Sequence, residues 1–142
     1  MGWNRSRRQE VPPHPRREPR IPLPLTVENL REVFHDCVDY AERPVALAGD
    51  TGRTITLCYI NGMVKMERVS DYLLCPLAQD EALAACPDLK AARAHMAAGA
   101  LYNLGVNERT EMDQAAADLV VGCCLLFFPG QPGALSFFTR TE

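Results

Sequence analysis

The sequence predicts a mixed α/β domain, a mixed sheet of about four strands with three to four packing helices. Three observations carry that prediction. Residues 54–60 alternate, with Ile55, Leu57 and Tyr59 on one face and Thr54, Thr56 and Cys58 on the other, the period-two pattern of a strand. Val27, Leu30, Val33 and Phe34 recur at helical spacing, and so do Met66, Val69, Leu73 and Leu77. Residues 123–128 and 134–138 are almost continuously apolar, which suits strands covered on both faces by helices or another layer.

Each element follows from local chemistry. Thr26 is placed to cap the first helix, with Glu28 in its first turn, where a negative charge suits the helix dipole, and the helix runs to about Asp36. Residues 43–48 form a first strand, Gly49-Asp50-Thr51-Gly52 a turn, and residues 54–60 the second strand of a hairpin. Asn61-Gly62 is a turn into the helix that begins near Met66, which Pro76 ends or kinks near Leu74. Residues 78–88 read as a loop. Asp88 caps an alanine-rich helix with Leu89, Ala92 and Met96 on one side, closed by Gly99. Thr110 caps another, with Asp113 at the capping-box position and Met112, Ala116, Leu119 and Val120 as its buried stripe. Gly122 stops it. The two apolar strands follow, joined by Pro129-Gly130-Gln131-Pro132-Gly133.

Length and charge divide the chain. At 142 residues it is one domain's worth, but residues 1–24 differ from residues 25–142. They hold Arg5, Arg7, Arg8, Arg16, Arg17 and Arg20 against Glu10 and Glu18, and six of the eleven prolines. Prolines at that density remove backbone donors and exclude helix, which predicts a disordered or polyproline-like arm. The arm carries a net +4, which leaves −7 on the body of a chain whose formal charge is −3. Two readings of the arm stay open: a solvated extension without function, or attraction to an anionic membrane surface at roughly 1 kcal/mol per close Lys or Arg. Nucleic acid is not an expected partner, because the body is acidic and the arm offers only Trp3 for stacking.

The residues supply no catalytic constellation. The six cysteines (37, 58, 75, 86, 123 and 124) include no Cys-x-x-Cys, and no histidine lies near a cysteine pair, so neither zinc nor a redox motif is indicated. Buried free thiols explain the set, with Cys123 and Cys124 on opposite faces of their strand. No nucleophile–base arrangement joins Ser70, Ser136 and the histidines, and the Gly-Asp-Thr-Gly at 49–52 is explained by a hairpin turn. No catalytic, cofactor or metal residues are assigned, and the expectation is a protein that is not an enzyme. The longest apolar run, residues 119–128, has ten residues where about twenty are needed to cross a bilayer.

Four stretches, in order, carry a resemblance to a known family. They are Asn29-Leu30 … Phe34 … Asp39 … Arg43; Tyr59-Ile60-Asn61-Gly62-Met63-Val64; Val69 … Leu73-Leu74-Cys75-Pro76-Leu77; and Gly122 with the two last strands and Arg140. Together they resemble the soluble N-terminal region of the A subunit of GerA-type spore germination receptors. The family usually reads Tyr-Ile-Asp-Gly-Leu-Val at the second stretch, so Asn61 keeps the turn and drops a charge. The resemblance implies a regulatory or assembly module of a nutrient germinant receptor on the cytoplasmic side of the spore inner membrane. It also implies partners: other receptor subunits, or a second soluble subdomain that in the family follows this one and precedes the membrane region. The chain is therefore expected to be a first subdomain, truncated before those parts. The family-motif positions Asn29, Asp39, Arg43, Tyr59, Asn61, Gly62, Pro76, Leu77 and Gly122 read as structural. Tyr59 is expected in the core, and Asp39 and Arg43 are spaced to pair.

So apolar a last strand pair is expected to leave an uncovered face, making Phe128, Phe137 and Phe138 candidate interface residues for self-association or a receptor partner. The alternative is a stand-alone α/β ligand-binding or protein-interaction domain unrelated to sporulation.

Overall fold

Five strands pair into one sheet: β1 (Tyr40–Ala46), β2 (Thr54–Ile60), β3 (Val106–Arg109), β4 (Cys123–Phe127) and β5 (Ala134–Phe138). A computed structural model describes residues 21–98 and 105–138. The strand order is β1-β2-β4-β5-β3 and every pairing is antiparallel, so the sheet is not mixed. The strand without a sequence signal is β3. Val-Asn-Glu-Arg holds one apolar residue, and its pairing with β5 at the sheet edge makes it a strand. The first strand begins at Tyr40, earlier than residue 43, because its register with β2 starts at Tyr40–Ile60. Pro44 sits on this edge strand, where a missing ladder donor costs least.

Helices cover both faces, as the apolar strands require. On one face Ile55, Leu57, Tyr59, Leu126 and Phe137 pack with Leu73, Leu77, Leu83 and Met96. On the other, Cys58, Ile60, Leu125 and Phe127 pack with Leu30, Met112 and Leu119. Fully burying each large side chain contributes about 1.5–3 kcal/mol, so these two layers dominate the fold's stability. The adjacent thiols divide as alternation demands, with Cys124 in the first cluster and Cys123 beside Ser136 on the other side.

The first face is built by α2 (Met66–Val69), a π turn (Ser70–Leu74), α3 (Cys75–Gln79), α4 (Glu81–Ala84) and α5 (Leu89–Ala97). Pro76 does not end its helix. The wider π turn ahead of it carries the Cys75 N–H to the Ser70 carbonyl, and helix continues to Gln79 with Pro76 in its first turn. Residues 78–88 are not all loop either, since Asp80 accepts from the Ala82 N–H and caps α4. Asp88 caps α5 through the Ala91 N–H, as its position predicts. Gly99, the expected stop, lies outside the described residues.

The second face is built by α1 (Val27–Val33) and α6 (Met112–Val120). Thr26 caps α1 through the Asn29 N–H. The α6 cap is Glu111 without a side-chain bond, one residue after Thr110, and the Asp113 carboxylate accepts from the Ile21 N–H. Ala115, Asp118 and Leu119 are the buried stripe with Met112, while Val120 points outward and is 50% exposed.

Residues 1–20 of the predicted arm lie outside the described residues. Residues 21–24, assigned to it from composition, pack on the body. Pro24 bridges Glu111, Ile21 packs against the second cluster, and the following Leu25 is buried. The thiols are not uniformly buried: Cys58, Cys123 and Cys124 are inside, Cys37 and Cys86 half-buried, and Cys75 exposed.

A candidate docking surface at one end of the sheet

Antiparallel pairing brings distant pieces of sequence to the same end of the sheet. The start of β1 (Tyr40) lies opposite the end of β2 (Ile60), and the start of β4 (Cys123) lies opposite the end of β5 (Phe138). Since Cys58 pairs with Leu125, the register carries Ile60 and Cys123 to one end together. That end therefore carries the segments just outside three strands, Val38 and Asp39, Asn61–Met63, and Val121 and Gly122, together with Phe138, the last residue of β5. The helix α6 also finishes there, at Val120.

Five of the six exposed large hydrophobics among the described residues sit on these segments: Val38, Met63, Val120, Val121 and Phe138. Val38 is 95% exposed and Phe138 45%. The sixth, Leu23, belongs to the opposite end, next to the Pro24–Glu111 bridge. Isolated surface hydrophobics are ordinary, but their collection at one end makes that end a candidate interaction surface.

The backbone beneath is firmly set. The Asn61 N–H donates to the Asp39 carbonyl at 2.8 Å and starts the 3-10 turn Asn61–Met63. A Cβ on Gly62 would lie 3.6 Å from the Asp39 carboxylate, an ordinary contact, so Gly62 is not sterically required. Gly122 is required, because its φ of 100° turns the chain from α6 into β4 in a region that suits only glycine.

Behind this end a polar strap fastens α1 to β1 and β2. Arg31 grips Glu42 in a fork of 2.9 and 2.8 Å, and the Tyr40 hydroxyl donates to Glu42 at 2.8 Å. The same hydroxyl lies 3.5 Å from the Cys58 sulfur, and Phe34 stacks on the Tyr40 ring at 5.5 Å. The hydrogen bonds from Arg31 hold the Glu42 carboxyl below its usual range. Burial pushes the Cys58 thiol up to about 12 and the Tyr40 hydroxyl higher still. A thiol held neutral is a poor nucleophile, so this cluster acts as a fastening.

The sequence-assigned positions separate accordingly. Asp39, Asn61, Gly62, Gly122 and Phe138 meet at the exposed end, with Tyr59 buried just beneath. Asn29 lies elsewhere, its side-chain amide donating to the Pro24 carbonyl at 2.9 Å. Pro76 and Leu77 are buried in α3. Arg43 is exposed in mid-β1, and among the described residues no ion pair joins it to Asp39. Phe128 and Phe137 are inside the first cluster at 2% and 1% exposure, so they are not interface residues; the α2–α5 layer covers the face expected to be open. Taken singly, Val38 and Val121 carry no sequence signal of a site, and Val120 is predicted in the buried stripe. The adjacent pair Val120-Val121 at a helix end was the available signal, since one helical face cannot bury both.

Among the described residues, no helix is long and apolar enough to cross a membrane, and no group of three or more His, Cys, Asp or Glu is placed to hold a metal ion. The family model described as Bacillus/Clostridium GerA spore germination protein matches residues 28–142. No curated protein matches the sequence. Among solved structures, the N-terminal domain of the A subunit of the Bacillus megaterium spore germinant receptor GerK3 is similar, with a TM-score of 0.60 at 20% identity. The match covers 81% of this chain and 45% of that one, so the likeness spans less than half of the solved domain.

Proposed function

The chain belongs to the Bacillus/Clostridium GerA spore germination protein family, and on that premise we propose that it is a non-catalytic regulatory or assembly module of a nutrient germinant receptor at the spore inner membrane. Its working surface is the exposed end of the sheet. The partner is another soluble part of the receptor, either the remainder of an A subunit or a neighbouring subunit. One observation carries this reading: five of the six exposed large hydrophobics, with the family-motif turn Asn61–Met63 between them, gather where four strands begin or end. The solved A-subunit domain supports the choice of partner, since more than half of its chain lies beyond what this chain matches.

Capture from solubilised spore inner membrane tests the proposal. The tagged full chain should retain germinant-receptor subunits, identified by mass spectrometry. Phe138→Lys and Val121→Lys should each lose them while leaving the thermal midpoint unchanged. Retention of receptor subunits by both variants, or recovery of no receptor subunit by the parent chain, overturns it.

A further inference from the structure

A groove of about 580 Å³ opens between the start of α1 and the loop that joins β4 to β5, at the end of the sheet opposite the docking surface. Leu25, Phe127, Pro129 and Pro132 supply its apolar walls, and its polar residues include Glu28, Thr56 and Gln131. We propose that the groove binds a small apolar amine, its ammonium held by Glu28, Thr56 and Gln131 and its apolar body laid along the walls. This inference is independent of the receptor reading, because the groove and the docking surface share no residue.

Hydrogen-bonding capacity is left over in this groove. Among the described residues, no hydrogen bond or ion pair engages the side chain of Glu28, Thr56 or Gln131. Thr26, also on the lining, is already used, since its hydroxyl accepts from the Asn29 N–H. A few polar groups set in mostly apolar walls are what a small-molecule site requires. They are also held in place. Gly130, at a φ of 76° after Pro129, makes a turn closed by the Gln131 N–H to the Phe128 carbonyl at 3.1 Å. Pro132-Gly133 follows with Gly133 at a φ of 71°, and Arg93 ties the Pro132 carbonyl at 2.7 Å. Gln131 thus stands between two Pro-Gly turns, Glu28 in the first turn of a capped helix, and Thr56 on a strand paired on both sides. Little ordering remains to be done when a ligand enters.

Charge decides the class of ligand. Glu28 is the one charged residue among the described residues of the lining, and the body around it carries −7. An anion would be repelled by both, and a cation attracted. A primary ammonium brings three donors and no acceptor. The Glu28 carboxylate, the Thr56 hydroxyl and the Gln131 amide oxygen are all able to accept. The Phe127 ring and the two prolines suit an apolar body, and an aromatic one above all.

Titration of the full chain with phenethylamine, followed through amide chemical shifts, tests this. The amides of Glu28, Thr56, Phe127 and Gln131 should shift saturably, and those of Asn61–Met63 and Phe138 should not. Phenethyl alcohol, the same body without the charge, should bind at least about threefold more weakly. Hydrocinnamate, with a carboxylate in place of the amine, should bind more weakly still. Glu28→Gln should weaken phenethylamine by the same factor as removing the ligand's charge, at least about threefold. Gln131→Ala covers the case in which Glu28→Gln disturbs α1, and it should weaken phenethylamine at least about twofold. No saturable shift with phenethylamine, binding of the alcohol or of hydrocinnamate as tight as that of the amine, or parent-like binding by both variants overturns the proposal.

Discussion

The two ends of the sheet are finished in opposite ways. At the end where β2 begins and β4 finishes, loops are tied down by arginines that reach backbone carbonyls. Arg53 donates to Cys86 and Pro87 at 2.6 and 3.2 Å, and Arg93 donates to Pro132 at 2.7 Å while lying over the Phe128 ring. At the other end the segments are held by backbone hydrogen bonds such as Asn61 to Asp39, and Val38, Met63, Val121 and Phe138 are left outside beside the polar Asp39 and Asn61. Closed loops with satisfied carbonyls serve the fold. An end that keeps Val38, Met63, Val121 and Phe138 in water at a cost of about 25 cal/mol per Å² is the one proposed to meet another surface.

The contrast predicts that substitutions at the tied end cost stability and those at the exposed end cost binding. The largest effect should come from Gly133→Ala. Gly133 has a φ of 71° and its missing Cβ would run into the Arg109 carbonyl oxygen, a backbone atom with no room to move. Left-handed strain plus that clash should remove about 2–4 kcal/mol in a denaturant titration. A loss within about 0.5 kcal/mol would show that the loop is not rigid and break the comparison. Arg93→Ala should come next, at about 1–2 kcal/mol, from the lost carbonyl bond and ring contact.

A smaller effect belongs to the strap. The folded-state Glu42 carboxyl titrates below its unfolded value, chiefly through its hydrogen bonds from Arg31. Its contribution is therefore complete above the unfolded value and lost as pH falls through the folded one. Stability of the parent chain should fall more steeply on acidification than that of Glu42→Gln, and identical profiles would remove the strap from the account. The smallest stability effects should be at the exposed end, where Met63→Lys and Phe138→Lys should each stay within about 0.5 kcal/mol of the parent.

What could be read from the sequence follows the same division. The strand Thr54–Ile60 and the caps Thr26 and Asp88 are written in local pattern, and the structure keeps them. Strand β3 is not, because Val106–Arg109 owes its state to pairing with β5 and not to its own residues. Pro76 misled because a π turn five residues long absorbs what a regular helix would not tolerate. The turn residues of the exposed end are legible in Tyr59-Ile60-Asn61-Gly62, whereas the burial of Phe128 and Phe137 is not. Alternation shows that a strand has two apolar faces; it does not show that α2–α5 already cover one of them.

The exposed end, and not the arginine-tied end, is the one proposed to meet the receptor. Amide hydrogen exchange of the full chain, with and without detergent-solubilised germinant receptor, compares the two ends in one experiment. The account predicts slowed exchange on receptor addition at residues 38–39, 61–63 and 120–122 and at Phe138, with residues 47–53 and 128–133 unchanged. Slowing confined to 47–53 and 128–133, or no slowing at either end, would contradict it.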